Sequence, residues 1–339
     1  MISLVSIIMM TALLQAYAET PSEEWSRVFD LPEPRSEIEA ESIGNKIYVA
    51  GGLDNMGNPT DTLFIYDTVK DSWEKRATMP RALHHAALAT DGEKIFVIGG
   101  YKEGWIPTNS LLIYNPNSNS WSFGKTMPTA RGALTAEFAS SKLYAIGGYS
   151  TKTETAVEEY NPSTNSWSKK TSMPTPREHL TSSKLNENLH VIGGRSAQGN
   201  VGVHEVYNPS TDSWKTLEPL PTPRSGLTSS VLGEAIVVIG GESRTKTFSE
   251  NEVFVPSNEW ISQKPMEFAR HGLASATVND KLYAIGGGTA PGFSFSKINE
   301  VYYNTAIPEF GYAVFVILVV SFTIVIFCTG NRTLVRGFR

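Results

Sequence analysis

The chain is predicted to fold as an all-β propeller of six blades, each of four antiparallel strands, on three observations. First, Trp25, Trp73, Trp121, Trp167, Trp214 and Trp260 each stand 26 residues before a glycine pair that closes an apolar run. The pairs are Gly51-Gly52, Gly99-Gly100, Gly147-Gly148, Gly193-Gly194, Gly240-Gly241 and Gly286-Gly287. Second, they recur every 46 to 48 residues, the length of one four-stranded blade. Third, the interval from each glycine to the next tryptophan varies from 20 to 22 residues. A constant half and a variable half therefore alternate along the chain.

Residues 1–18 are apolar and end Ala16-Tyr17-Ala18, the small-x-small pattern of a cleaved signal peptide. No Lys or Arg precedes the apolar core. A retained anchor would need a longer run than the roughly 14 apolar residues present. Residues 19–306 form the propeller. Its first strand, Glu24 to Val28, carries a tryptophan that no earlier repeat can use.

Within one repeat, residues 132–139 read as the first strand, Ser140 and Ser141 as a turn, and Lys142–Ile146 as the second strand. A loop over 149–155 leads to a third strand at Ala156–Tyr160. Asn161-Pro162-Ser163-Thr164-Asn165 has turn composition, and Ser166-Trp167-Ser168 opens the fourth strand. The second strands, such as Ile95-Phe96-Val97-Ile98 and Ile236-Val237-Val238-Ile239, are apolar throughout. That predicts burial on both faces, between stacked blades. The glycines after them allow close backbone approach. Tyr66, Tyr114, Tyr160 and Tyr207 each precede a tryptophan by seven residues, and these rings are expected to pack together between blades.

Four apolar residues, a Gly-Gly pair, Tyr-Asn-Pro and a Trp resemble the kelch repeat over residues 25–303. The resemblance implies a six-bladed kelch β-propeller. Blade five departs from the pattern with Phe254 in place of tyrosine, and blade two has Leu83 where the others have arginine. The last repeat lacks a fourth strand. The amino-terminal strand is therefore expected to complete blade six and close the ring.

Arg35, Arg131, Arg177, Arg224 and Arg270 each follow a tryptophan by ten residues, and Arg81 lies two residues before the exception, Leu83. The resemblance places this position on the same rim as the loops after the glycine pairs. A ring of guanidinium groups there would suit carboxylate or sulfate ligands. The alternative is that these arginines bridge neighbouring blades. The loops run over 53–61, 101–108, 149–155, 195–201, 242–249 and 288–296 and carry no repeat constraint. Trp105, the one tryptophan outside the pattern, is a contact candidate, and Tyr101, Tyr149, Arg195 and Arg244 share its rim.

Enzymes occur among kelch propellers. A copper radical oxidase would need a cysteine linked to a tyrosine, and Cys328, the sole cysteine, lies outside residues 19–306. His84, His85, His179, His190, His204 and His271 show no clustered ligand spacing, so no metal and no cofactor are expected. No nucleophile elbow, phosphate loop or Asp-box turn occurs. An epimerase-like activity on an acidic sugar would draw on the arginine rim with Glu178, His179 and His271.

Beyond the propeller, Ile307-Pro308-Glu309-Phe310-Gly311 precedes an uncharged run over 310–329, long enough for a transmembrane helix. Arg332, Arg336 and Arg339 follow in a basic tail over 330–339, which places the propeller outside the membrane. The segment over 307–311, with its span and basic end, resembles archaeal sorting tails of the Pro-Glu-Phe type, in which an archaeosortase replaces the tail with a lipid. An ordinary single-pass helix is the other reading. Residues 19–306 carry a net charge of −7, which argues against nucleic acid as a partner. The expectation is a cell-surface propeller, tethered to the membrane, that recognises a protein or glycan without catalysis. An acidic-sugar-modifying enzyme and a structural envelope component are the alternatives.

Overall fold

The computed structural model describes residues 23–304. It is an all-β six-bladed propeller, and every blade is a four-stranded antiparallel sheet. Blade three runs Thr135–Ala139, Lys142–Ile146, Val157–Asn161 and Ser166–Lys169. The turn and the second and fourth strands lie where the sequence placed them. The first strand starts later than expected because Ala133 adopts a left-handed φ of 51°. Ser140 and Ser141 also take positive φ, which matches the two-residue turn to the twist of its strands.

Blade six closes the ring as expected. Glu23–Arg27 pairs antiparallel with Asn299–Asn304, setting Trp25 opposite Tyr302. The outermost strand of this blade thus comes from the start of the chain.

The first strands of successive blades neighbour one another around a central channel, and that of blade six meets that of blade one. Six apolar clusters fill the described residues, one at each junction between adjacent blades. The second strands lose both faces to these clusters, which explains their unbroken apolar character.

Each ring residue packs on its tryptophan within one blade, and the pairs lie at the junctions between blades as expected, with Tyr66 5.7 Å from Tyr283 of blade six and Tyr207 5.7 Å from Tyr144 of blade three. Tyr66–Trp73, Tyr114–Trp121, Tyr160–Trp167, Tyr207–Trp214 and Phe254–Trp260 are cross-strand partners with centroids 4.9–5.3 Å apart. The indole N–H adds a hydrogen bond between blades. Trp73 Nε1 donates to the Phe29 carbonyl at 2.8 Å, Trp121 to Ala77 at 2.7 Å and Trp25 to Lys264 at 2.9 Å, and the other three repeat the bond.

Among the described residues no helix is long and apolar enough to cross a membrane. The signal peptide over 1–18, the motif over 307–311, the span over 310–329 and the tail over 330–339 lie outside the described residues.

Candidate functional site

The arginines do not form an open guanidinium rim. Arg131, Arg177, Arg224 and Arg270 are fully buried, and each pairs with a buried glutamate of its own blade's third strand. Arg131 Nη1 meets Glu158 at 2.5 Å, Arg177 Nη2 meets Glu205 at 2.8 Å and Arg270 Nη2 meets Glu300 at 2.5 Å; Arg224 pairs with Glu252. Further donors find carbonyls, as Arg131 Nε does at Gly147 (2.8 Å) and Arg131 Nη2 at Ala145 (3.0 Å), while Arg270 Nε is left without a partner. A buried guanidinium has five donors to satisfy, and the second strand's carbonyls and one carboxylate supply the acceptors. Arg35, also buried, pairs with Glu33, because Phe64 occupies the place of the glutamate in blade one, its ring under the guanidinium.

These arginines also join blades. The second glycine of each pair donates its N–H to the backbone carbonyl at the arginine position of the next blade, as Gly100 does to Arg131 and Gly148 to Arg177, both at 2.9 Å. The first glycine must be glycine for the same reason. A Cβ on Gly99, whose φ is +63°, would lie 2.5 Å from the Arg131 carbonyl oxygen.

What reaches the mouth is the pair of residues after each arginine position. The second of the pair, Glu37, His85, Ala133, His179, Gly226 and Gly272 in blades one to six, always has positive φ. Their backbones form a ring: His85 N–H donates to Glu37 O, Ala133 to His85, His179 to Ala133, Gly226 to His179 and Gly272 to Gly226, at 2.8–3.2 Å. Ile38 N–H closes it on Gly272 O at 3.4 Å. The first of the pair bridges the residue after the glycine pair, as in His84–Tyr101, Gly132–Tyr149, Glu178–Arg195 and Ser225–Glu242. Tyr101, Tyr149 and Arg195 therefore do share one rim.

Over this ring the propeller gathers histidines that are far apart in sequence. Glu37 Oε2 lies 3.1 Å from His85 Nε2, and Glu37 Oε1 lies 3.4 Å from His271 Nδ1. His179 Nδ1 bonds Glu178 Oε2 at 2.9 Å, and Arg195 Nε donates to Glu178 Oε1 at 2.7 Å. His84 and His85 share a hydrogen bond of 2.5 Å between their Nδ1 atoms. Four of the six histidines thus sit in one cluster, although their spacing along the chain gave no sign of it. His190 and His204 lie elsewhere, stacked in the blade-four core with Phe254.

Burial and charge set the ionisation of the cluster. Burial pushes the His85 imidazole down to about 3, against the pull of Glu37, and His84 down to about 4, so both are neutral at pH 7. Burial opposes the charge on Glu37, but its histidine neighbours outweigh that and hold the carboxyl well below the usual range. Glu178 is held at about 2 by His179 and Arg195, again against its own burial. His271 is buried, yet Glu37 and Glu242 raise its imidazole above the ordinary value.

An aromatic wall stands beside the cluster. Trp105 has its ring 4.6 Å from His84, 5.5 Å from Tyr101 and 6.3 Å from Phe293, which comes from the blade-six loop. Trp105 is 50% exposed and Phe293 68%, whereas Tyr101 is buried. Arg244 is exposed in the blade-five loop. Below the ring, the channel holds a cavity of about 900 Å³ lined by Ser and Thr hydroxyls with Glu39, Glu41 and Glu137.

Comparison with known proteins agrees with this architecture. No curated protein matches the chain. A family model described as the Attractin/LZTR1 β-propeller matches residues 13–206, more than half of the 339 residues. The chain belongs to the Attractin/LZTR1 β-propeller family.

Proposed function

We propose that this propeller is a recognition module that binds a protein partner through its loop-bearing mouth, without catalysis. The observation that carries the reading is an apolar patch on that face. Met56, Trp105, Ile106, Tyr149 and Phe293 are exposed, and all lie in the loops that follow glycine pairs. Large exposed rings rimmed by charge mark interaction surfaces more often than isolated exposed residues do. Membership of the Attractin/LZTR1 family supports protein interaction. The five arginines are buried, Arg81 is exposed but lies over the Phe123 ring, and Arg195 and Arg244 remain in the rim loops, which weighs against a site built for acidic sugars.

The setting is proposed from the ends of the sequence: export by the segment over 1–18, and tethering by the span over 310–329 or by a lipid after processing at 307–311. The partner is then a protein, or a glycan on one, at the cell surface. Crosslinking the purified full chain to native surface extract, beside a Trp105→Ala/Phe293→Ala variant, tests the binding face. A specific partner captured by the parent and lost by the equally folded variant is the expected result. Equal capture by both would move the binding face elsewhere, and capture of free glycans on an array would replace the protein with a sugar.

A further inference from the structure

We propose that Glu37, His85 and His179 hold a divalent first-row transition cation of the zinc class at the floor of the mouth. One ligand atom from each of these residues lies within 4.8 Å of the others. Ligand atoms around a tetrahedral ion sit about 3.3 Å apart, given metal–ligand bonds of about 2.0 Å. The Glu37–His85 separation of 3.1 Å already meets that, and His271, 3.4 Å from the other Glu37 oxygen, steadies the carboxylate from outside the set. One carboxylate with imidazoles is a donor set suited to zinc, iron, nickel or copper rather than to calcium or magnesium.

Three further observations point the same way. The Nδ1 atoms of His85 and His179 are engaged by His84 and Glu178, which leaves Nε2 of each ring to donate to a metal. Glu178 is itself held by Arg195; such outer partners fix tautomer and ring direction at metal sites. His271, a side chain 1% exposed, turns its Nδ1 to Glu37 at 3.4 Å and to Glu242 at 3.6 Å, which fixes the Glu37 carboxylate from its far side. A cavity of about 40 Å³ adjoins Glu37, His85 and His179, room enough for an ion and a water.

The full-length protein, freed of metal by chelator dialysis, would be titrated with Co²⁺ alone and followed by its visible absorption, then with Zn²⁺ in competition. The expected result is about one equivalent of cobalt with a tetrahedral spectrum, displaced by zinc. His85→Ala and His179→Ala should each weaken binding by at least about 10-fold. Both variants should fold, since Ala133 already occupies the equivalent left-handed position in blade three. Glu37→Gln, nearly isosteric, gives the same test without changing the volume of the site. Zinc should also raise the melting temperature of the parent and leave that of the variants unmoved. A parent that binds no stoichiometric cobalt, or variants that bind as the parent does, would overturn the site and leave the cluster as a hydrogen-bonded plug.

Discussion

Arg131, Arg177, Arg224 and Arg270 are charges taken wholly out of water, and each would be costly without its glutamate. Blade two shows the other solution within the same chain: Leu83 stands at the arginine position, and Leu112 where the glutamate would be. We expect Arg131→Leu alone to lose about 3–5 kcal/mol, because it strands Glu158 in the core. Adding Glu158→Leu, the pairing that blade two carries, should recover much of that, as chemical denaturation of the two variants would show; equal losses would mean that the carbonyl contacts, not the pair, do the stabilising. The recurrence of the arginines was legible in the sequence, but their direction was not. Their partners lie 27 to 30 residues away, in a strand whose register only the folded blade reveals. A trace did exist: Glu158, Glu205, Glu252 and Glu300 each stand two residues before the ring of the third strand, and the glutamate is missing in blades one and two. The histidine cluster escaped for a related reason. Ligand spacing is a property of one helix or hairpin, whereas a propeller brings equivalent positions of different blades to one axis. Aligning the six copies on the arginine position shows Glu37, His84, His85, Glu178, His179 and His271 one or two places after it.

At the scale of the strand, the closing element Glu23–Arg27 is held by a full ladder to blade six and by Trp25, which stacks on Tyr302 at 5.0 Å and bonds Lys264. Deleting residues 19–30 should lower the melting temperature by about 10 °C or more, since it opens one edge of blade six and exposes the Val28 and Leu31 contacts of the blade-one junction. An unchanged melt would show that the ring holds without closure. Strand order, turn positions and closure were all readable from spacing, because each blade's period is fixed by the same tryptophan and glycine pair. The late start of the first strands was not. The left-handed residue that delays them is Glu, His, Ala or Gly, and only Gly of these announces positive φ.

Across the whole molecule, the channel below the mouth sets a pH dependence. Burial, with Glu41 and Glu37 nearby, pushes the Glu39 carboxyl up to about 8, and burial raises Glu41 and Glu137 too. In the unfolded chain these groups ionise near 4.5. The folded state thus binds more protons between the two values, and this contribution to stability is complete below pH 4.5 and lost as the pH rises to about 8. Glu39→Gln should flatten the melting temperature between those limits and add about 1–2 kcal/mol at pH 8, allowing for water in the channel; an unaltered profile would show that the carboxyls ionise freely. The closure of the ring has a further consequence, in time. Asp30 and its partner Asn299 are 269 residues apart, so the propeller's earliest strand meets its neighbour only when the propeller's latest strand emerges. At about 5–20 residues per second that strand waits on the order of tens of seconds, its tryptophan unpaired, while five blades assemble. The nascent propeller is therefore an open arc with two unfinished ends until its last strand emerges, and it is in that interval, rather than in the finished ring, that its unpaired edges are open to other chains.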